Sequence, residues 1–313
     1  MKKYSFTSNN YALAGVIEAL LLIGLVAVIL STIQLYYVPE IMEQKESEHM
    51  DEVLKQFSLL KSTVDIQSLV GSGESDNPIV YAPMSTTITL GSSKLPYLVS
   101  LGASGQIEVI DEDKTDSEIE MDSGDLLYPF ENGIPLTSIK YTANNYYFPE
   151  SSPGQEYILE GGGIILKQSD GEVMKVAPSM IVENHTQQGY LKIIYNIPYF
   201  TTKPDKDITS GYKNCYARTN YISNHSSVET LDDDEDKDRL KITTEYINAW
   251  NQTLIKDDSG ILWEYYHNEE IWVNITDVGS STFVTIEGRD STLDFELKIC
   301  EIGVQVSPGE TID

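Results

Sequence analysis

The 313-residue chain is poor in the residues and motifs on which most enzyme chemistry depends. It has two cysteines and four histidines, and the histidines form neither an H-E-x-x-H pair nor another dense ligand cluster. The sequence also lacks G-x-S-x-G, a phosphate-binding P-loop and C-x-x-C. We therefore expect a protein that is not an enzyme and that has no catalytic residue, no metal ligand and no cofactor.

Basic residues are scarce as well. Lysine and arginine number 21 against 49 aspartates and glutamates, which gives a formal net charge of -28. The first 39 residues carry Lys2, Lys3 and Glu18, which sum to +1 and leave -29 for the remainder. A surface this acidic repels nucleic acid and anionic lipid, so we expect no nucleic-acid partner.

One long apolar segment dominates the N-terminus, at residues 12–38 with an unbroken run from Ala19 to Leu30. In a helix it would span roughly 39 Å, enough to cross a bilayer core of about 30 Å with some tilt. It predicts a transmembrane helix at 12–38 after a short basic leader, residues 1–11. A cleaved secretory signal is the alternative, but such signals have a shorter apolar region and a small-residue cleavage site.

The flanking charges predict the orientation of this helix. Lys2 and Lys3 precede it, and four glutamates follow it between residues 40 and 48. The positive-inside rule therefore places the N-terminus in the cytoplasm and residues 40–313 outside the cell membrane. Tyr36 and Tyr37 lie where aromatic residues anchor a helix at the membrane interface.

Residues 39–70 are predicted to extend the helix, with Pro39 kinking or restarting it. Apolar residues recur at spacings of three and four, which is one face of an amphipathic helix; they are Met50, Val53, Phe57, Leu60 and Val64. This face has two candidate partners, the chain's own C-terminal domain and neighbouring subunits.

A small, polar linker is predicted at residues 71–78, and a β-rich domain at 79–313. Short β-branched and aromatic runs alternate there with turn residues, beginning at residues 79, 86, 97, 107, 157, 190, 261, 271, 281 and 295. Ser169, Asp170 and Gly171 indicate a hairpin turn. The predicted fold class is α+β: a long N-terminal membrane and amphipathic helix, then a mainly antiparallel β-sandwich or barrel-like ectodomain.

Three segments of this domain are predicted to depart from strand structure. Tyr246, Trp250 and Leu254 have helical spacing and predict one short helix near 244–256. Residues 200–240 are expected to form a long irregular surface excursion. The acidic segment 111–122 is expected to be a solvated loop.

Cys215 and Cys300 are a candidate disulfide, because an external location is oxidising. Two buried, unpaired thiols are the alternative. The acidic run at 232–238 is expected to be a solvated loop, with weak calcium binding as the alternative; it lacks the glycine and glutamate of an EF-hand loop.

Four N-x-[ST] sequons make the ectodomain a candidate glycoprotein, at Asn184, Asn224, Asn251 and Asn274. Asn224 lies in the segment predicted to be irregular, so we expect it to be the most exposed of the four.

The N-terminal segment ALAGVIEALLLIGLVAVIL, preceded by the leader MKKYSFTSNN, resembles the opening of archaeal type IV pilin-like proteins. Residues 13–18 occupy the positions of that family's V-S-P-V-I-G. Segments 157–179 and 241–250 are similar to parts of uncharacterised archaeal pilin-like ectodomains. The resemblance implies cleavage by a prepilin peptidase and assembly of helices into a filament core. The family's basic residue followed by glycine or alanine, just before the cleavage site, is absent here.

Glu18 is a carboxylate within the apolar segment, where charge costs about 2.5–3.5 kcal/mol at the bilayer centre. In the pilin resemblance it is a candidate assembly residue that would pair with a neighbour's terminal amine. The alternative is a glutamate near the inner membrane edge that reaches back to water.

We therefore expect a membrane-anchored, pilin-like archaeal cell-surface protein with a structural or adhesive role, including that of a minor subunit of a type IV pilus-like filament. Its expected partners are membrane lipid, copies of itself through the N-terminal helix, and other envelope proteins. The alternative is a stand-alone, membrane-anchored extracellular module that binds a solute, glycan or envelope partner without polymerising.

Overall fold

The computed structural model describes residues 10–71, 82–92, 102–121, 130, 133–145, 154–185, 190–225, 239–256, 258–278, 281–289 and 292–308. Three predicted segments lie wholly or mostly outside these residues: residues 1–9 of the leader, residues 72–78 of the linker, and the acidic run at 232–238. The architecture is α+β, as predicted: a long N-terminal helix followed by a mainly antiparallel β-domain.

The N-terminal helix comprises α1 (Asn10–Thr32), a π-helical turn (Ile33–Tyr37) and α2 (Val38–Gly71), without interruption. Two short helices follow much later, α3 (Ile247–Ile255) and α4 (Trp263–His267). The strands are, in chain order, β1 (Met84–Thr89), β2 (Ser104–Ile110), β3 (Glu118–Met121), β4 (Ile134–Pro135), β5 (Ser138–Asn144), β6 (Glu156–Glu160), β7 (Gly163–Gln168), β8 (Gly171–Val176), β9 (Met180–His185), β10 (Tyr190–Thr202), β11 (Ile208–Gly211), β12 (Asn214–His225), β13 (Arg239–Thr243), β14 (Ile271–Val278), β15 (Ser281–Gly288) and β16 (Thr292–Pro308).

The described strands form three sheets. Sheet A has the order β1-β12-β16-β10-β9, sheet B has β11-β2-β5-β6-β7-β8, and sheet C has β14-β15-β13-β3-β4. The central pair of sheet A, β10 and β16, is parallel over thirteen residue pairs, and the other described pairings are antiparallel.

Two hydrophobic cores share the long strands of sheet A. The first core joins α2 to sheets A and B, and the second joins α3 to sheets A and C and to two residues of sheet B. In β16, residues 293, 295, 297 and 299 enter the second core, whereas residues 300, 302, 304 and 306 enter the first. Because alternate residues of a strand face opposite sides, the two halves of β16 pack their opposite faces.

Turn chemistry accounts for the hairpins of sheet B. Asp170 lies in the two-residue turn between β7 and β8, as the sequence predicts. Between β6 and β7, Gly161 and Gly162 both have positive φ, which a type I′ hairpin turn requires and which glycine adopts without strain. A side chain at Gly161 would lie 2.5 Å from the Tyr195 hydroxyl, so glycine is also required for space.

Three local predictions are wrong. Residues 261–266 were expected to form a strand, but Trp263–His267 form α4. Much of 200–240 is regular, since β11 and β12 lie within it. The second half of the acidic segment 111–122 contains β3, which buries Ile119 and Met121.

Candidate functional site: the junction of the apolar helix and the β-domain

α1 packs against no part of the described chain. Every described side chain from Ala14 to Thr32 is exposed, and the helix is long and apolar enough to cross a membrane. Its 23 residues correspond to roughly 35 Å. A helix that is apolar on all sides needs an apolar surrounding, which in a single-helix segment is lipid or other helices.

The π-helical turn and Pro39 mark the point where the helix reaches the β-domain. Proline lacks the N–H that would bond to the carbonyl four residues earlier, and its ring crowds that carbonyl. Here the helix widens by one residue, and the Val38 N–H donates to the Ile33 carbonyl instead. Tyr36 and Tyr37 are exposed, but Val38 is already buried. The β-domain therefore begins directly where the apolar segment ends.

The predicted apolar face of α2 is inserted between sheets A and B. All five residues of the stripe are buried in the first core; they are Met50, Val53, Phe57, Leu60 and Val64. The Phe57 ring contacts the rings of Tyr141 and Tyr157 at centroid distances of 6.4 and 6.2 Å. The partner of this face is thus the chain's own β-domain.

Polar contacts fix the position of α2 along its length. The Tyr141 hydroxyl donates to the Leu90 carbonyl and lies 3.0 Å from His49 Nε2. The Thr89 N–H donates to Gln56 Oε1 at 2.8 Å. Burial lowers the pKa of His49 and raises the pKa of Tyr141, which favours the neutral forms of both side chains.

Two further contacts lie nearer the end of α2. Lys61 Nζ is buried and donates to Asp65 Oδ2 at 2.6 Å and to Ser179 Oγ at 3.5 Å. Gln67 Nε2 donates to the Thr219 carbonyl of β12 at 3.3 Å. Contacts along the whole of α2 therefore bind it to the β-domain.

A second polar cluster joins the β6–β7 turn to α3. Glu160 is buried, and its Oε1 accepts hydrogen bonds from Thr244 Oγ1 at 2.7 Å and Trp250 Nε1 at 3.0 Å. The Tyr195 hydroxyl donates to the Gly161 carbonyl at 2.8 Å. Burial raises the pKa of Glu160 to about 7. This cluster connects sheets A and B with α3, and no local sequence motif indicated it.

Ser223, His225 and Glu301 lie together on sheet A. Ser223 Oγ donates to Glu301 Oε2 at 2.6 Å, and His225 Nε2 lies 3.2 Å from that hydroxyl and 3.4 Å from the carboxylate. In a catalytic triad the acid holds the other ring nitrogen and the base holds the hydroxyl. Here one nitrogen faces both groups and the serine proton is held by the carboxylate, so the geometry is not that of a proton relay.

The predicted disulfide is absent from the structure. Cys215 and Cys300 are both buried free thiols on neighbouring strands, β12 and β16. Cys215 pairs with Pro308, eight residues beyond Cys300, which corresponds to about 26 Å along the strand. A disulfide needs Cα atoms less than about 7 Å apart. Burial raises the pKa of Cys215 to about 12 and of Cys300 to about 11.

The four sequon asparagines differ in exposure, and Asn224 is not the most exposed. It is half-buried within β12, and Asn251 is half-buried in α3. Asn184 in β9 and Asn274 in β14 are exposed, and both strands lie at sheet edges. The prediction that Asn224 is the most exposed sequon was wrong because it assumed an irregular segment. The buried residues of β12 are small and weakly apolar, so the sequence did not indicate that this segment is a strand.

The remaining candidate residue, Glu18, is exposed on α1. Among the described residues, no group of three or more His, Cys, Asp or Glu is arranged to hold a metal ion. Comparison of the chain with known protein families, with curated proteins and with solved structures finds no significant match. Inference about function therefore depends on the geometry of this chain.

Proposed function

We propose that this protein is a single-pass, membrane-anchored cell-surface protein whose acidic β-domain lies outside the cell, directly above the membrane. One observation carries the proposal: a continuous helix is bare and apolar in its first part and embedded in a β-domain in its second. An element of this kind couples a membrane, or a bundle of like helices, to a water-facing domain without a flexible hinge.

The charges on either side of the apolar segment support the proposed orientation. Lys2 and Lys3 lie before the segment, and Glu40 and Glu43 lie just after it. The domain beyond the segment carries the excess acidic charge, which disfavours contact with anionic lipid and favours solubility.

A pilin-like role, structural or adhesive, is the more specific form of the proposal. α1 contains the small residues Ala14, Gly15, Ala19, Gly24 and Ala27, and side chains added at Gly15 and Gly24 would meet open space. Small residues let membrane helices approach closely. Glu18 is then available to pair with a terminal amine of a neighbouring copy.

Protease treatment of intact cells tests the orientation. We expect added protease to digest the β-domain and leave a membrane-retained fragment that contains α1. Protection of the β-domain, while known exterior proteins are digested, would overturn the proposal.

The mature N-terminus and imaging test the pilin-like form. A native chain that begins between residues 10 and 14, together with filaments labelled by an antibody to residues 79–313, would support a processed subunit. An unprocessed chain without filaments would favour the stand-alone module.

Glu18→Gln should reduce filament yield and leave membrane retention unchanged, with Gln34→Glu as a matched charge control. Normal filaments from the Glu18→Gln variant would refute the pairing role.

A further inference from the structure

Strand β14 presents an exposed tryptophan beside an exposed sequon asparagine. Trp272, Asn274 and Thr276 alternate along the strand and therefore lie on the same, outer face of sheet C. Trp272 is 39% exposed, and Asn274 is exposed. β14 is the edge strand of the sheet, so the asparagine amide is accessible from the side as well as from above.

The strand register determines which side of the indole is covered. The Arg289 N–H donates to the Glu270 carbonyl, which places Arg289 opposite Glu270, on the side of Trp272 away from Asn274. The Arg289 guanidinium stacks on the Trp272 ring, with 4.6 Å between the guanidinium carbon and the ring centroid. Arg289 Nη1 also lies 2.5 Å from Glu269 Oε2, and this ion pair holds the guanidinium in place.

The surface between Trp272 and Asn274 has the composition that sugars contact. Glu287 lies opposite Trp272 on β15 and pairs with Arg239 Nε at 2.9 Å, whereas Thr285, opposite Asn274, is buried and its hydroxyl donates to the Asn274 carbonyl at 3.4 Å. A carboxylate accepts hydrogen bonds from sugar hydroxyls, and an indole ring contributes a rigid apolar surface.

We propose that Asn274 carries an N-linked glycan and that its first sugar packs on the side of Trp272 that faces Asn274. The sugar would cover an exposed indole that the protein itself leaves partly bare, and the glycan would block pairing of another strand with the edge of sheet C. The inference depends on the proposed function, since sequons are glycosylated only on the external side.

Peptide mass spectrometry of the protein from its native membranes tests the modification. We expect the peptide containing Asn274 to carry added sugar mass, and Asn274→Gln to remove it. An unmodified Asn274 peptide in a protein whose β-domain is digested from outside intact cells would overturn this inference alone. A β-domain that resists that protease would overturn the proposed function and this inference together.

Thermal unfolding of the native-source protein tests the packing on Trp272. Asn274→Gln should lower the melting temperature by about 2–4 °C in the wild-type background and leave it unchanged in a Trp272→Ala background. Asn184→Gln is the matched control, because Asn184 is also exposed on an edge strand but has Val182 in place of the tryptophan. An equal fall in both backgrounds, or an equal fall for Asn184→Gln, would refute the packing.

Discussion

At the scale of single residues, Glu160 is a fully buried carboxyl group whose pKa the fold raises to about 7. Hydrogen bonds from Thr244 and Trp250 stabilise the ionised form, but burial outweighs them. Glu245 and Glu172 raise its pKa further. Ionisation of Glu160 therefore opposes the folded state.

Glu160→Gln tests this balance. The folded-state pKa of about 7 exceeds the ordinary value of 4.5, so the native state holds more protons between these two values. The stabilisation is complete below about pH 4.5 and is lost as the pH rises through about 7, by about 3 kcal/mol in total. We expect urea unfolding of the wild type to show this extra loss relative to the glutamine variant between pH 4.5 and 8.

The matched control for that experiment is Glu183→Gln, at an exposed position in β9. It should retain the pH dependence of the wild type. Identical pH profiles for the wild type and Glu160→Gln would show that the carboxyl group titrates at an ordinary pKa.

The two cysteines give a second prediction at this scale. Because both thiols are buried and their pKa values are raised, the folded protein should resist maleimide labelling with and without reductant. After denaturation, two thiols per chain should react, again without reductant. A requirement for reductant in the denatured protein would reveal a disulfide that the strand register excludes.

At the scale of elements, α2 is the helix on which the first core depends. Phe57 is fully buried between the two tyrosine rings, whereas Leu59, two residues later, is 59% exposed. Phe57→Ala should lower the free energy of unfolding by about 3–5 kcal/mol, and Leu59→Ala by less than about 0.5 kcal/mol. Urea unfolding of the detergent-solubilised chain measures both; equal effects would mean that α2 does not contribute its apolar face to the core.

Elements with strong periodicity were predictable from the sequence. The stripe on α2 repeats over four turns, and Tyr246, Trp250 and Leu254 indicated α3 in the same way. The run containing Trp263 is too short for periodicity to distinguish a helix from a strand, and its neighbours in space decide the outcome. β12 escaped prediction because its inward residues Cys215 and Ala217 are small.

The arrangement of the sheets could not be predicted from the sequence, for a different physical reason. The parallel pairing of β10 with β16 joins segments about one hundred residues apart, and no local pattern records such a contact. The Glu160 cluster likewise forms only when the β6–β7 turn meets α3. A long strand whose opposite faces pack into two different cores can be recognised only after the elements that form both cores are known.

At the scale of the whole molecule, the protein divides at Val38 into an apolar segment and a domain that includes α2. Burial begins at Val38 and Met42, and the residues after this point carry a net charge of -29. A chain comprising residues 38–313 should therefore fold, remain in aqueous solution and give a cooperative thermal transition. A chain comprising residues 72–313 should lose that transition, because without α2 the first core exposes residues that include Ile88, Ile107 and Phe200. Circular dichroism and sedimentation of the two truncated chains check this, and cooperative unfolding of the shorter one would show that the β-domain is complete without its helix.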